Sequence, residues 1–274
     1  MLPQLRTEQI LCERYLQLGG ALHRGYRFEL PEGSCDGSAG AVDLLSIDAS
    51  QPVLAVQYLW LFGCDGMDSA VRSALGLTWR GRSQREPGHA IDARLRQWTG
   101  RTNVALHASA TGFALILRIA PLTVRIAGTT AAQCHQVLRQ LPVEAITWES
   151  SFNIQFRSAD CYGKGQTWLA GDATHVHSPI GGRGLNMGMA DALALAEAIA
   201  RQDIGAYVAQ RKPVAARWVR INYGMSRVLM GSALWSQLLR WTLRFCMRLL
   251  AAVGGGRLLQ PLFVRIIRAD ETQA

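Results

Sequence analysis

Residues 167–193 read TWLAGDATHVHSPIGGRGLNMGMADAL, and this stretch decides the expected fold. A short apolar run ends before Asp172, a glycine-rich loop containing Pro179 follows, and an alanine-rich segment begins at Gly184. The pattern predicts a buried strand, an acidic residue at its end, a loop and a long helix. Glycine lets backbone approach a flat ligand closely, and the first N–H groups of a helix, here those of residues 185–187, favour negative charge. The stretch therefore predicts a site for a flat ligand with an anionic edge.

Two other stretches of the sequence also contain motif-like patterns. Residues 63–76, GCDGMDSAVRSALG, follow an apolar run and contain an Asp-Gly pair with Ser69 and Arg72 downstream. Residues 4–11, QLRTEQIL, place a glutamine seven residues before a leucine. The three stretches resemble the Gly-Asp motif, the Asp-Gly motif and the FAD-proximal glutamine of the FAD-dependent aromatic-ring monooxygenases, the para-hydroxybenzoate hydroxylase family. The resemblance covers nearly the whole chain and is looser in the middle and at the C-terminus.

The resemblance implies which residues bind the cofactors. In the family the Gly-Asp motif holds the flavin ring and ribityl chain, the Asp-Gly motif serves FAD and NAD(P)H, and the glutamine lies beside the ribityl and phosphate region. The backbone carbonyl of Pro179 is implied to lie against the flavin C4a region, which makes Pro179 the catalytic candidate. The implied cofactor-binding residues are Gln4, Asp65, Gly66, Arg72, Gly171, Asp172, Gly182, Gly184, Leu185 and Asn186.

Several of these residues also have plainer interpretations. An aspartate such as Asp172, or the pair Asp65-Gly66, is common in ordinary turns. Pro179 can serve only to rigidify its loop, and Gln4 can cap a helix.

Two neighbouring features leave alternatives open. Asp172, His175 and His177 have the spacing Asp-x-x-His-x-His of a metal site, but a third and fourth ligand are not evident, so no metal is expected. Arg183 either lowers the cost of an anionic reduced flavin or points to solvent.

The fold implied by the resemblance is α/β. It has an FAD-binding, Rossmann-like domain (1–77 and 158–205), a middle antiparallel substrate sheet (78–157) and C-terminal helices (206–274). The family begins with a strand, a G-x-G-x-x-G turn and a helix that hold the FAD pyrophosphate, whereas residues 182–188, the best match here, are one residue too long. The domain is therefore expected to lack its first βαβ unit, and the chain alone is expected to retain little FAD.

The resemblance implies hydroxylation of an aromatic or related small organic substrate. NADPH or NADH would reduce FAD, and O₂ would form a flavin C4a-hydroperoxide whose distal oxygen the substrate attacks. The alternative is a truncated or split non-catalytic relative that binds FAD weakly, or only with a complementing N-terminal segment.

Composition narrows the remaining classes of function. The chain has 274 residues, 49% of them hydrophobic, and a net charge of +9. Its basic residues are dispersed without a nucleic-acid-reading motif, so nucleic acid is not an expected partner. Six cysteines without a C-x-x-C pair and an N-terminus without a signal sequence indicate a cytoplasmic protein. Arginines 240, 244 and 248 indicate either peripheral membrane contact or a packed helix with arginines in water; the second is favoured.

The periodicity of apolar residues and the positions of turn residues predict the helices and strands. The segment 78–87 is expected to be a linker or a mobile loop, and the helix after Gly184 is expected to be buried on nearly every face. The tail from 207 is expected to be helical, with breaks at Pro213 and at glycines 254–256. Further helices are expected at 7–18, 69–75, 130–141 and 184–201, and strands at 21–30, 41–47, 52–62, 104–109, 113–120, 122–127 and 147–157.

Overall fold

The computed structural model describes residues 4–30, 33–48, 52–85, 87–100, 102–108, 113–179, 182–230, 236, 238–239 and 241–242. These residues form two compact units. The first contains the described residues of 1–85, 119–121 and 153–223, and the second contains those of 86–118, 122–152 and 224 onward. The domain boundaries expected at 77, 157 and 205 stay predictions.

Helices and strands alternate irregularly along the chain, and the predicted α/β class is confirmed. The helices are α1 (Gln4–Gln17), α2 (Ala70–Ala74), α3 (Ala131–Leu138), α4 (Gly184–Ala200) and α5 (Ile204–Met230), with a 3₁₀ turn at Gly171–Ala173. The strands are β1 (Tyr26–Phe28), β2 (Gly40–Ser46), β3 (Leu54–Tyr58), β4 (Leu61–Gly63), β5 (Trp79–Ser83), β6 (Gly88–Leu95), β7 (Val104–Ala108), β8 (Phe113–Ala120), β9 (Thr123–Gly128), β10 (Val143–Phe152), β11 (Gln155–Ala159), β12 (Gly163–Lys164), β13 (Thr167–Leu169) and β14 (His175–Val176).

A small sheet of the first unit, with the order β12-β13-β4, carries both ligand motifs. β13 runs parallel to β4, with Thr167 opposite Leu61 and Leu169 opposite Gly63. Both faces of β13 are buried, because Trp168 packs with α4 and α5 whereas Leu169 packs with α2. A strand covered on both faces requires a continuous apolar run, which is how this strand could be recognised in the sequence.

Two antiparallel sheets complete the first unit, with the orders β1-β2-β3 and β14-β11-β5. The strand expected at 21–30 is shorter, because only β1 has a partner, with Tyr26 opposite the last residue of β2. The strand expected at 52–62 is divided into β3 and β4. β3 pairs with β2 and β4 with β13, so the chain must change sheet between them.

The segment 78–87, expected to be a linker, contains β5 instead. β5 pairs antiparallel with β11, and four of its five residues are exposed, so its sequence shows no apolar alternation. Gly81 has a φ of +147°, and a Cβ added there would collide with the Phe156 carbonyl oxygen on β11. The strand therefore depends on glycine at this position.

The second unit is built on an antiparallel sheet with the order β10-β6-β9-β8-β7, which confirms the predicted middle sheet. The sequence did not predict β6, because Asp92 and Arg94 interrupt its apolar residues. The Asp92 carboxylate pairs with Arg125 on β9 at 2.7 Å, so the cross-strand partner makes this charge acceptable. The strand expected at 147–157 is two strands, since β10 pairs with β6 and β11 with β5 and β14.

The expectation that α4 is buried on nearly every face is wrong. Leu185, Met189 and Leu193, each four residues apart, are 48%, 44% and 63% exposed. The polar Asp191, in contrast, is completely buried. Apolar residues on every side of a helix conceal which side faces the protein, so the sequence could not orient α4.

α5 continues through Pro213, where the sequence indicated a break. An interior proline costs a helix about 3 kcal/mol, because it removes a hydrogen bond and crowds the preceding turn. Tyr207, Arg211 and Ala215 are buried at a spacing of four residues. Packing along this face holds the helix together across Pro213.

No described helix combines the length and the apolar character needed to cross a membrane. The arginines 240, 244 and 248, for which membrane contact was one interpretation, lie outside the described residues, as do glycines 254–256. The five cysteines that the structure describes are free thiols.

Candidate functional site

The parallel pairing of β4 and β13 brings the two main motifs together. Both strands end at the same edge, and just beyond it the Ala170 N–H donates to the Gly63 carbonyl at 3.1 Å. The Asp-Gly loop (64–69) therefore follows one strand and the Gly-Asp loop (170–183) follows its neighbour. Ligands bind at this edge, beyond the carboxyl ends of the strands, in open α/β sheets.

The Asp-Gly loop is held by its own polar groups. The Asp65 carboxylate accepts a hydrogen bond from the Val71 N–H at 3.2 Å, and Ser69 caps α2 by accepting from the Arg72 N–H at 3.0 Å. Gly66 has a φ of +85°, which favours glycine, and a Cβ added there would meet no atom within 4 Å. The loop is thus fixed in shape and open at Gly66.

Arg72 connects the Asp-Gly loop to the Gly-Asp loop. It is only 7% exposed, and its two terminal amino groups donate to the Ala173 carbonyl at 3.0 Å and to the Met67 carbonyl at 2.8 Å. Its guanidinium carbon lies 4.0 Å from the centre of the Trp79 ring. The resemblance implies that Arg72 binds cofactor; the structure gives Arg72 this connecting role, and its contact with FAD stays a prediction.

The Gly-Asp loop begins with the 3₁₀ turn, which packs closely against α4. Gly171 has a φ of +62°, and a Cβ added there would lie 3.6 Å from the Gly188 Cα. Asp172 is exposed, and its carboxylate forms no hydrogen bond or ion pair with any residue that the structure describes. This carboxylate is available as an acceptor for a ligand.

The first turn of α4, which follows the Gly-Asp loop, has backbone N–H groups that can donate to a ligand. Arg183, the N-cap residue, makes no side-chain cap, and intrahelical bonding starts with the Met187 N–H, which donates to the Arg183 carbonyl at 2.9 Å. The N–H groups of Leu185 and Asn186 precede this bond, and both residues are exposed. The prediction that the Met187 N–H is also free to bind a ligand is therefore wrong.

Two glycines leave open space at the same helix start. A Cβ added at Gly182 or Gly184 would meet no atom within 4 Å. Gly182 has a φ of +62°, which itself favours glycine, but Gly184 lies in α4, where any residue could stand. Glycine at position 184 fits the close approach of a ligand, since no described neighbour requires it.

A buried charge network, which the sequence analysis missed, ties the Gly-Asp loop to two helices. His175 Nε2 lies 2.7 Å from one Asp191 oxygen, and Arg211 Nε donates to the other at 2.7 Å. The three side chains are 1%, 0% and 7% exposed. The available signal was a carboxylate, Asp191, among apolar residues in the first half of a helix, because a buried charge requires a partner. The network joins β14, α4 and α5.

The remaining predicted residues lie apart from these contacts. The Pro179 carbonyl accepts a hydrogen bond from the Gly182 N–H at 3.0 Å. Gln4 begins α1, is exposed, and donates to the Glu8 carboxylate at 2.8 Å. The Arg183 guanidinium lies 4.3 Å from the centre of the Trp218 ring, a contact that neither alternative for Arg183 included. The catalytic role of Pro179 and the FAD contact of Gln4 stay predictions.

Each of the two histidines of the Asp-x-x-His-x-His spacing has one ring nitrogen bonded to a protein group, whereas His175 Nδ1 and His177 Nε2 are buried without a hydrogen-bond partner among the described residues. His175 Nε2 is bonded to Asp191, and His177 Nδ1 donates to the Ser178 carbonyl at 2.8 Å. Burial lowers the pKa of His177, so its neutral form is favoured.

Known proteins with similar sequence are bacterial monooxygenases. The 12-dehydrotetracycline 5-monooxygenase/anhydrotetracycline 6-monooxygenase of Streptomyces rimosus is 30% identical over 252 residues, which cover 80% of this chain and 49% of the relative. The 6-methylpretetramide 4-monooxygenase of the same organism is 35% identical over 245 residues, which cover 79% and 42%. The chain thus spans about half the length of the curated relatives it matches.

The fold and the family agree with these relatives. The solved structure of OxyS anhydrotetracycline hydroxylase from Streptomyces rimosus matches with a TM-score of 0.69 and 26% identity, covering 94% of this chain and 56% of that one. A sequence model of a family described as FAD binding domain matches residues 1–122 and 127–221. The chain therefore belongs to this FAD binding domain family, and the predicted kinship with FAD-dependent aromatic hydroxylases is confirmed.

Proposed function

We propose that this chain forms part of an FAD-dependent monooxygenase that hydroxylates an aromatic or related small organic substrate with NAD(P)H and O₂. The observation that carries the proposal is the open space over Gly182 and Gly184, at the end of a loop whose Asp172 carboxylate has no hydrogen-bond or ion-pair partner among the described residues. The monooxygenase relatives support the reaction type.

The chemistry of the donor set fits FAD. The Asp172 carboxylate suits the ribityl hydroxyls, since an ionised carboxylate only accepts hydrogen bonds. The N–H groups of Leu185 and Asn186 suit the N1–C2=O edge of a reduced isoalloxazine, because a helix N-terminus stabilises negative charge. Bound FAD supplies the redox chemistry and the activation of O₂.

The chain's own residues would orient this group. The glycines at 182 and 184 allow the loop backbone to approach the ring, and Arg72 keeps the Asp-Gly loop and the 3₁₀ turn at a constant separation. The buried Asp191 network fixes the helix from which the donors project. Asp65 and Gly66 are the proposed contacts with FAD and NAD(P)H, as the resemblance implies.

Replacing Asp172 by alanine is expected to weaken FAD binding by about 1–3 kcal/mol, the usual cost of leaving a hydrogen-bonding partner unpaired. The measurement is a titration of FAD into the 274-residue chain, followed by flavin fluorescence and extended to high FAD because weak binding is expected. Asp43→Ala, which removes an exposed carboxylate from β2, is the charge control. Equal affinities for wild type and Asp172→Ala would place the ribityl chain elsewhere.

Gly184→Val is expected to weaken FAD binding at least as strongly, because the new side chain fills the space that a flat ligand needs. The added Cβ meets no atom of the described chain, so the free energy of unfolding should stay nearly unchanged. Gly224→Val is the matched control, since Gly224 is also helical and a Cβ there also meets no neighbour. Loss of stability without loss of affinity would contradict the assignment of this space to FAD.

The reaction type has its own test. Aromatic compounds are added in turn to the protein with FAD, NADPH or NADH, and ¹⁸O₂, while NAD(P)H loss and O₂ uptake are followed. We expect that compounds that accelerate NAD(P)H oxidation also yield a product carrying ¹⁸O. Accelerated oxidation without labelled product would instead indicate a reductase. FAD binding without any NAD(P)H oxidation would favour the non-catalytic relative that requires a complementing segment.

A further inference from the structure

Two histidines and a glutamate of the second unit converge on one point, apart from the motifs described above. His89 belongs to β6, His135 to α3 and Glu149 to β10. His89 Nε2 lies 2.7 Å from Glu149 Oε1, and His135 Nε2 lies 2.9 Å from the same oxygen. One potential ligand atom from each residue lies within 4.8 Å of the other two.

The strand register explains why these side chains meet. His89 is opposite Ser151, and Ile91 is opposite Glu149, so the side chains of all four residues point to one face of the sheet. α3 covers this face, because its buried residues pack with Ile91 in the core of the unit. His135 projects from α3 toward the end of β6 that carries His89.

We propose that His89, His135 and Glu149 bind a divalent transition-metal ion, with Zn²⁺ as the first choice. Two imidazole nitrogens and one carboxylate oxygen are a donor set that zinc uses in sites that keep a fourth position for water. Zinc bonds of about 2.0 Å place tetrahedral ligand atoms about 3.3 Å apart. The observed separations from Glu149 need to widen by only a few tenths of an ångström.

The surroundings of the three residues suit a metal ion. Ser151 Oγ lies 2.9 Å from His89 Nδ1 and fixes the ring with Nε2 toward the site, as a second hydrogen bond does for most ligating histidines. The side chain of His89 is 9% exposed, whereas those of His135 and Glu149 are 37% and 34% exposed. The ion and its water therefore have a path from solvent.

Zn²⁺ binding requires each imidazole Nε2 to carry no proton. A neutral imidazole meets this requirement by moving its proton to Nδ1, and a cationic one by releasing a proton to solvent, so that Zn²⁺ can take the position between the three atoms. Without metal, the same groups form only a hydrogen-bonded contact among β6, α3 and β10.

Equilibrium dialysis of the 274-residue chain against Zn²⁺, with metal content measured by mass spectrometry, tests the proposal. We expect saturable binding of about one ion per chain. His135→Gln and Glu149→Gln should each lower the affinity at least about 10- to 100-fold, the loss known even for groups that only support ligands. Ser151→Ala should lower it about tenfold by releasing the His89 ring. Both glutamine variants alter half-exposed side chains, and their thermal unfolding without metal verifies that they fold.

The controls separate this site from other donors. His23→Gln removes an exposed histidine of the first unit and should leave Zn²⁺ binding unchanged. Co²⁺ in place of Zn²⁺ should give a visible spectrum without thiolate charge-transfer bands, because no thiolate is among the proposed ligands. The proposal is overturned if the wild-type chain shows no saturable binding. It is equally overturned if the His135 and Glu149 variants bind like wild type, which would assign the ion to the free thiols or to other histidines.

Discussion

Replacing Asp191 by asparagine is expected to lower the free energy of unfolding by about 3–5 kcal/mol, the cost of removing one partner from a buried ion pair. Asp191 is fully buried and accepts from Arg211 while it also contacts His175. Asparagine has nearly the same shape but no charge, so Arg211 would stay buried without a counter-ion. Chemical denaturation of both proteins, with unfolding followed by circular dichroism, measures the difference.

Glu197→Gln is the matched control for Asp191→Asn. It removes the same charge from the same helix, but Glu197 is 53% exposed and lies 3.7 Å from Arg201 in a surface pair. Such pairs contribute about 0–1 kcal/mol. Similar small effects for both variants would mean that the buried network does not stabilise the fold.

Replacing Arg72 by alanine is expected to cost about 3 kcal/mol of unfolding free energy. Two hydrogen bonds from a charged group, each contributing about 1.5 kcal/mol or more, are lost, together with the cation–π contact with Trp79. The Ala173 carbonyl would be left without its donor in a buried position. Chemical denaturation measures the effect, and FAD titration of the same variant tests whether Arg72 also supports the cofactor.

Arg80→Ala is the appropriate comparison for Arg72→Ala, since Arg80 lies on β5 beside Trp79. The Arg80 side chain is 75% exposed, and its contact with Asp160 is a loose surface pair with a distance of 3.9 Å. Surface substitutions of this kind change stability by about 0.5 kcal/mol or less. If Arg72→Ala were equally mild, the two loops would be held together by other contacts.

The ligand motifs could be recognised from the sequence because their geometry is local. Strand β13, the 3₁₀ turn, β14 and α4 follow one another along the chain, and the glycines at 171 and 182 stand where the backbone φ is positive. The same holds for the α2 cap, where Ser69 bonds to a residue three positions later. The same local sequence motifs also identified the family correctly.

The strands of the middle region could be recognised only in part. β8 and β9 have apolar runs that identify them, but β5 is mostly exposed and β6 contains charged residues. β6 is a strand because it pairs with β9 and β10, and its Asp92 is accommodated by Arg125, 33 residues away. No local window contains that information.

The sequence was therefore sufficient for the family and the α/β class, and it supplied the residues that are proposed to surround the flavin. Tertiary contacts were needed to show that Arg72 joins two loops and that Asp191 is buried between His175 and Arg211. They were also needed to show that two histidines and a glutamate meet across β6, α3 and β10. The physical reason is that burying a charged side chain is costly unless partners offset the cost, and these partners come from elements that are distant in the sequence.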